Sequence, residues 1–229
     1  MREYRTLGSV RGHPGNRVSY LDKLRPIMVD VRRKCLRDRI SEISDFLLQL
    51  DALKSVNRRT YINGGERVEN SAEHSWHLAM ACWAFAEMMQ DEYDVPKLIK
   101  LALLHDLGEI GAGDTFLYSI NRNNAHIEER ESVKQIAMHP GNPIGAIVEL
   151  WEEQEAGISK EAKLLKVIDR LLPFLHNITS EGRAWKDNDI HRDQVLRMHQ
   201  FIESESPEIY SWFMSKLDYA VEQGWLTGS

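Results

Sequence analysis

The stretch LALLHDLGEIGAGDT, residues 101–115, ends an apolar helical pattern on a histidine and an aspartate and then opens into a glycine-rich loop. Imidazole and carboxylate side chains together are ligands for first-row divalent metal ions. His105 and Asp106 stand side by side, and Glu109 and Asp114 follow shortly after them. A single His-Asp pair is a weak signal, so its weight depends on the residues that accompany it.

Two other segments supply side chains of the same chemistry. His74 lies near the start of a helix predicted from Ser71 to about Gln90, and Asp169 lies inside an otherwise apolar helix predicted over 160–179. A buried carboxylate must pair with a cation or bind a metal. Asp169 is therefore either a metal ligand or one half of a salt bridge, with Arg170 as a candidate partner, and spacing alone does not choose between the two.

Helical periodicity dominates the chain from about Ser41 onward. Residues 58–70 are predicted to be a loop centred on Gly64 and Gly65, further loops are predicted over 109–123 and 180–189, and no alternating strand pattern is found. The predicted fold is all-α, a compact bundle of about six to nine helices packed around one core that holds the metal site.

Composition is that of an ordinary globular protein, with 42% hydrophobic and 28% charged residues in a chain of 229. No apolar run approaches the roughly 20 residues that a membrane-spanning helix needs. The first 15 residues contain no apolar secretory segment. Cys35 and Cys82 are far apart, which excludes a disulfide scaffold or a thiolate zinc site and favours a reducing, cytoplasmic location.

Charge divides the chain into two parts. Residues 1–40 carry 11 Lys/Arg and 4 Asp/Glu, whereas residues 41–229 carry 18 Lys/Arg and 31 Asp/Glu. The net charge of the whole chain is −6. We interpret residues 1–40 as a basic N-terminal extension, solvated or disordered, although a start codon placed too far upstream of Met28 would look the same. Residues 41–229 form the predicted folded domain. Its acidic balance argues against nucleic acid as a partner.

Three strings in this domain resemble the HD-domain metal-dependent phosphohydrolases, in the branch that contains the 5′-deoxynucleotidases. They are RVENSAEHSWHLA at 67–79, LLHDLGEIGAGDT at 103–115 and KVIDRL at 166–171. The resemblance covers residues 41–229, with the motifs in the family's order and at similar spacing. It implies an HD phosphohydrolase domain, a homodimer and one divalent transition metal, of the set Mn, Co, Fe, Ni or Zn, that activates a water molecule.

The resemblance also implies roles for individual residues. Glu109 matches a catalytic acid that positions or activates the attacking water, and Asp114 matches a residue beside the sugar and the leaving oxygen. The implied metal ligands are His74, His105, Asp106 and Asp169. The implied substrate contacts are Arg58, Arg59, His74, Asp106, Asp114, Thr115, Phe116, Leu117 and Asp169.

The segment that should orient the phosphate departs from the family pattern. The deoxynucleotidases place one arginine after the first helix and a tryptophan directly behind it, against the sugar. This chain has Arg58 followed by Arg59, with Tyr61 nearby, in a loop that is one residue longer. A guanidinium fork matches phosphate oxygens. We prefer Arg58 for that catalytic role, keep Arg59 as the alternative, and leave the preference for 2′-deoxy sugars open.

The function expected from these residues is release of phosphate from nucleoside or deoxynucleoside 5′-monophosphates through a metal-activated water. The partner is then a small-molecule phosphate ester, with no nucleic acid and no membrane. One alternative is an HD phosphohydrolase on another ester, such as a nucleoside triphosphate or cyclic nucleotide. Another is a catalytically silent metal-binding regulatory protein, against which the presence of Glu109 and Asp114 argues.

Some histidines and tryptophans either contribute to the site or have only a structural role. His77 and His176 lie one and two helical turns from predicted ligands, so each either faces the pocket or is simply packed or exposed. Surface positions are expected for His126, His139, His191 and His199, and core positions for Trp76, Trp83 and Trp185.

Overall fold

The computed structural model describes residues 20–89, 92–119 and 122–228, with side chains described for 33, 35–89, 92–119 and 125–228. The chain divides between Ser41 and Glu42 into two units. The larger unit contains two hydrophobic clusters and every predicted site residue. Residues 1–19, interpreted as part of an extension, lie outside the described residues. The predicted boundary between the extension and the HD phosphohydrolase domain, after residue 40, stays a prediction.

Helices account for most of the described chain, which confirms the all-α class. Their bounds are α1 Tyr20–Asp51, α2 Ser71–Met89, α3 Val95–Leu104, α4 Glu109–Ala112, α5 Arg122–Ala137, α6 Ile147–Ala156, α7 Lys160–Thr179, α8 Arg183–Asp187, α9 Arg192–His199, α10 Ile202–Glu205 and α11 Pro207–Glu222. A 3₁₀ turn, Ala52–Ser55, follows α1. Within the described ranges, no helix is both long and apolar enough to cross a membrane.

The segment 58–70, predicted to be a loop, is a β-hairpin instead. Strands β1, Asn57–Ile62, and β2, Arg67–Asn70, pair antiparallel, with Ile62 opposite Arg67 and a register irregularity further along. Gly64 and Gly65 form its turn with positive φ angles of 69° and 102°, which glycine adopts without steric cost. Strands this short, with an irregular register, do not leave the two-residue alternation that would reveal them in a sequence.

Helix α1 begins at Tyr20, well before Ser41, where the sequence pattern suggested that helical structure starts. The reason is exposure. Residues 35–42 are all exposed, and Phe46 is the first fully buried side chain among the described positions. Helical periodicity in a sequence records burial of one face, so a helix without a buried face gives no such signal. The single-turn helices α4 and α8 lie inside segments predicted to be loops. They were not predicted because four or five residues are too few to show a helical repeat of apolar positions.

Helix α7 organises the larger hydrophobic cluster. It packs against α2, α3, α6 and the β1 strand, and its predicted bounds, 160–179, are confirmed. The Ser159 side chain caps its first turn by accepting a hydrogen bond from the Ala162 backbone N–H. Leu164, Ile168 and Leu171 on α7 are at most 4% exposed. This apolar face brings Asp169 into the interior.

A smaller cluster supports the turn after α3. It contains Phe46, Leu107 and Trp151, together with residues of α5. The Trp151 indole N–H donates a hydrogen bond of 3.1 Å to the backbone oxygen of His105. A Cβ atom on Gly108 would lie 2.7–2.9 Å from atoms of Glu129 on α5. The close approach of α5 to the His105–Gly108 turn therefore requires glycine at position 108.

We expect Gly108→Ala to lower the free energy of unfolding by about 1–3 kcal/mol, because the added methyl group meets backbone atoms of α5. For a domain of this size, each kcal/mol lowers the Tm by roughly 2–4 °C. Gly145→Ala is the matched control, since its Cβ would meet nothing within 4 Å. Thermal and urea unfolding of both variants measure the difference, and equal stability of the two would contradict the packing argument.

Candidate metal centre

Three helices bring the four predicted metal ligands together. His74 lies on the first turn of α2 and is fully buried, His105 and Asp106 follow the end of α3, and Asp169 lies in the middle of α7. One ligand atom each from His74, His105 and Asp106 lie within 4.8 Å of one another. Asp169 Oδ1 is 3.0 Å from His74 Nε2 and 3.8 Å from His105 Nε2.

Polar contacts with neighbouring groups show which nitrogen of each imidazole faces this cluster. The Nδ1 of His105 lies 2.7 Å from the backbone oxygen of Ala102, and an N–H there leaves Nε2 as the free lone pair. That Nε2 is buried without a hydrogen-bond partner and lies 3.0 Å from Asp106 Oδ1. His74 directs Nδ1 toward Glu69 Oε2, at 3.3 Å, and Nε2 toward Asp169. Two imidazole nitrogens and two carboxylates therefore converge as a donor set that fits a first-row divalent ion.

The structure shows the salt bridge, one of the two alternatives that the position of Asp169 in an apolar helix left open. Arg170 Nη1 donates to Oδ2 at 2.8 Å. It occupies only that oxygen, so Oδ1 remains directed at the two histidines. Burial opposes ionisation of Asp169, but Arg170 and His74 outweigh it and hold its pKa well below the usual value. One oxygen of Asp169 is therefore paired with Arg170, while the predicted role of the other oxygen as a metal ligand stays a prediction.

The charges of the cluster favour a cation. Burial opposes charge on both members of the His-Asp pair, but His105 and Arg58 lower the pKa of Asp106 to about 2. Asp106 and Asp169 in turn raise the pKa of His105 to about 9. The surroundings thus stabilise positive charge at His105 Nε2, the position that a divalent ion would take.

Arg58 joins this cluster to the two loop acids. It extends from β1, is only 13% exposed, and its Nη1 donates a hydrogen bond of 2.6 Å to Asp106 Oδ2. The same Nη1 lies 3.9 Å from carboxylate oxygens of Glu109 and of Asp114. Burial alone would lower the pKa of Arg58, but these three carboxylates raise it above its ordinary value, so the guanidinium is always charged.

Glu109 lies at the start of α4 and is 7% exposed. Ser71 donates a hydrogen bond of 2.5 Å to its Oε2. Burial, reinforced by Asp106 and Asp114, raises the pKa of Glu109 to about 9. The pKa of Asp114 is raised as well, by burial and then by Asp106. A carboxyl group with a pKa of about 9 keeps its proton at neutral pH. A divalent ion at the candidate ligands would lower that pKa and leave a carboxylate able to accept a proton.

A pocket of about 350 Å³ is lined by Arg58, His105, Asp106, Glu109, Asp114 and Asp169, whereas the fully buried His74 does not reach it. Thr115, Phe116 and Leu117 form part of its wall, as the sequence predicted for substrate contacts. Arg59 also lines the pocket, with its guanidinium 4.8 Å from the centre of the Phe116 ring and its Nη1 donating to the Asn188 side chain at 2.8 Å. Arg58 therefore faces the metal ligands, whereas Arg59 faces the aromatic wall.

Two contributors to the site were missed in the sequence. Glu69, on β2, is 1% exposed and faces His74, while Ser71 positions Glu109. A glutamate in a short segment without strand periodicity gives no sign of burial, so no local signal marked Glu69. His77 and His176, for which a pocket role was open, do not line the pocket, and both lie beside Glu69 instead.

Several expectations for aromatic side chains were wrong. His199 was expected at the surface but is 1% exposed, and its Nδ1 and Nε2 approach the backbone oxygens of Val195 and Arg170. His139 is half-buried beside Phe46, whereas His126 and His191 are exposed as expected. Trp185 is buried, but Trp76 and Trp83 are 63% and 44% exposed on α2. Apolar identity alone does not determine burial.

Comparisons with known proteins agree with this geometry. The HD domain family profile matches residues 50–210. The 5′-deoxynucleotidases HDDC2 of Mus musculus and Homo sapiens are 31% and 30% identical to this chain over 128 residues, which is 55% of this chain. The alignments span 63% and 61% of those relatives, less than two thirds of their length.

A solved structure from Magnetospirillum magnetotacticum MS-1, described as a predicted metal-dependent phosphohydrolase, is 31% identical to this chain, with a TM-score of 0.75. The match covers 82% of this chain and 95% of that one. Since the family profile also matches well over half of the sequence, this chain belongs to the HD domain family.

Proposed function

We propose that this protein is a divalent-metal-dependent phosphohydrolase that releases phosphate from nucleoside or deoxynucleoside 5′-monophosphates. The observation that carries the proposal is one pocket in which Arg58, Glu109 and Asp114 surround the candidate metal ligands. The names of the mouse and human relatives support nucleotides as the substrate class. The name of the Magnetospirillum structure supports metal-dependent phosphate-ester hydrolysis.

One divalent transition ion, of the set Mn, Co, Fe, Ni or Zn, is part of the proposal. His74 and His105 would offer their Nε2 atoms, and Asp106 and Asp169 one oxygen each. When bound, such an ion polarises a phosphoryl oxygen and makes water more acidic. The site residues would hold it in an interior where two carboxylates compensate its charge, with Glu69 facing His74 and the Ala102 backbone oxygen orienting His105.

Glu109 is the general base in this proposal. Its carboxylate orients the attacking water and accepts a proton from it as the bond to phosphorus forms. The Ser71 hydroxyl holds Oε2 of Glu109, so the carboxylate presents its other oxygen, Oε1, toward Arg58 and the pocket. A positioned base of raised pKa can contribute about 10²–10⁴-fold to the rate.

Arg58 and Asp114 act on other oxygens of the phosphate ester than the attacking water does. The Arg58 guanidinium binds non-bridging oxygens and neutralises charge that develops on them. Asp114 donates a proton to the departing 5′ oxygen, which its raised pKa favours. The nucleoside lies against Thr115, Phe116 and Leu117, with Arg59 beside it, while His74, Asp106 and Asp169 border the phosphate.

A reducing, cytoplasmic compartment and a homodimer complete the proposal. Cys35 and Cys82 are both free thiols, the usual state in a reducing compartment. Trp76, Met80 and Trp83 are exposed along one face of α2. Exposed apolar side chains grouped in this way are typical of protein contact surfaces, and a second copy of the chain would cover them.

We expect phosphate release from nucleoside 5′-monophosphates in the presence of Mn²⁺ or Co²⁺ and its loss in EDTA. Asp106→Asn should lower kcat/KM by about 10³-fold, which corresponds to the several kcal/mol that a metal contributes to a charged transition state. A colorimetric phosphate assay over deoxy- and ribonucleoside monophosphates, triphosphates and cyclic nucleotides measures both. Release from triphosphates or cyclic nucleotides alone would replace the proposed substrate, and no release by metal-loaded protein would favour a binding role.

Glu109→Gln should lower kcat by about 10²–10⁴-fold with little change in KM, because the amide keeps the shape of the side chain but cannot accept the proton. Ser71→Ala, which removes only the hydrogen bond to Oε2, serves as the comparison and should cost about tenfold or less. Steady-state kinetics on the best monophosphate give both values. Unchanged turnover in Glu109→Gln would remove this residue from the mechanism.

Replacing each arginine by lysine separates the two candidates for phosphate binding. Arg58→Lys should lower kcat/KM by roughly 10–100-fold, because a point charge does not reproduce the two-pronged contact of a guanidinium. Arg59→Lys should have a smaller effect on kcat and a measurable effect on KM. A larger loss of kcat in Arg59→Lys than in Arg58→Lys would assign the phosphate to Arg59.

A further inference from the structure

Three metal-ligating side chains meet outside the pocket. Glu69 comes from β2, His77 from α2 and His176 from α7, and one ligand atom of each lies within 4.8 Å of the other two. The rings of His77 and His176 have their centres 5.4 Å apart. Neither histidine takes part in the chemistry proposed for the pocket. The cluster therefore requires an explanation of its own.

The polar atoms of this cluster are buried but not satisfied by one another. Glu69 is 1% exposed, and the Nε2 of His176 is buried without a hydrogen-bond partner. The Oε2 of Glu69 faces away from this cluster, 3.3 Å from His74 Nδ1 and 3.7 Å from Arg58 Nε. The other carboxylate oxygen, Oε1, lies 3.7 Å from His176 Nε2, too far for a hydrogen bond. A carboxylate and an imidazole thus face a common space without bonding across it, which is unfavourable unless something occupies that space.

We propose that Glu69, His77 and His176 bind a second divalent metal ion of the Zn²⁺, Co²⁺ or Ni²⁺ class. Two imidazoles and a carboxylate are a donor set suited to these ions. A tetrahedral ion with bonds of about 2.0–2.2 Å holds its ligand atoms roughly 3.4 Å apart. The separation of 3.7 Å between Glu69 Oε1 and His176 Nε2 is close to that value, and the three ligand atoms all lie within 4.8 Å of one another.

The environment of the histidines agrees with this assignment. Burial lowers the pKa of both His77 and His176, so neutral imidazoles with a free lone pair are present at neutral pH. Both side chains are only partly buried, which leaves a path for an ion and room for water as a fourth ligand. The proposal does not depend on the nucleotidase function, because it uses none of the four candidate ligands of the pocket.

Glu69 connects this second site to the first. Its Oε2 lies 3.3 Å from His74 Nδ1, while its Oε1 faces His176. The carboxylate that orients a ligand of the HD centre is therefore also a ligand of the second ion. Withdrawal of negative charge from Glu69 by that ion would weaken its hold on His74, so the two sites are expected to influence each other's metal affinity.

The test is a Co²⁺ titration of the full chain, stripped of metal and free of any histidine tag, followed by calorimetry and visible absorption. We expect two equivalents for the natural sequence and one for the double variant His77→Gln/His176→Gln. Asp106→Asn should weaken the other equivalent at least tenfold and leave this one in place. His191→Gln is the matched control, because this histidine is exposed and distant from both clusters in the fold.

Circular dichroism and Tm confirm that each variant is folded, and anomalous diffraction from Co²⁺-soaked crystals of the natural sequence gives an independent reading. A peak among the three side chains supports the proposal. A single equivalent that His77→Gln/His176→Gln leaves unchanged overturns it. If the natural sequence binds one equivalent, and the double variant loses it while Asp106→Asn keeps it, the result supports this site and contradicts a metal at the proposed HD centre. The two proposals can therefore fail separately.

Discussion

The division of the Asp169 carboxylate between a guanidinium and two imidazoles is the interaction on which the site depends. The apolar face of α7 places this side chain in the interior, where an ionised carboxylate is stable only with compensation. Arg170 supplies part of it through Oδ2, and the two histidines face Oδ1. Packing of α7 against α2 and α3 thereby determines where α2 and α3 must present their imidazoles.

The carboxyl groups in the pocket lie close together but differ in pKa. Four carboxyl groups, those of Asp106, Glu109, Asp114 and Asp169, surround the candidate centre, and Arg58 lies within 4 Å of the first three. The groups next to His105 and Arg170 keep low pKa values, whereas Glu109 and Asp114, further from those cations, are raised. The same burial therefore produces ligands that stay ionised and acids that can exchange a proton, and position relative to the cations decides which is which.

Sequence patterns revealed the parts of the fold that bury a periodic face. Helix α7, with its apolar stripe and a serine cap, was predicted with the bounds that the structure shows, and the residues named as metal ligands lie together. The exposed part of α1 and the hairpin carry no such stripe and were missed. Glu69 and His199 were missed for another reason, since their burial depends on partners from distant parts of the chain that no local pattern describes.

The hairpin has a consequence for how specificity changes between related proteins. Arg58 and Glu69 lie on its two strands, and their inward orientation depends on the register that the turn at Asn63, Gly64 and Gly65 sets. A shift of one residue in a strand reverses the faces of all its side chains. Insertions or deletions in this surface turn therefore change which side chains of the hairpin face the interior. The lining of the pocket can therefore change through the length of this turn, while the candidate metal ligands on the helices stay the same.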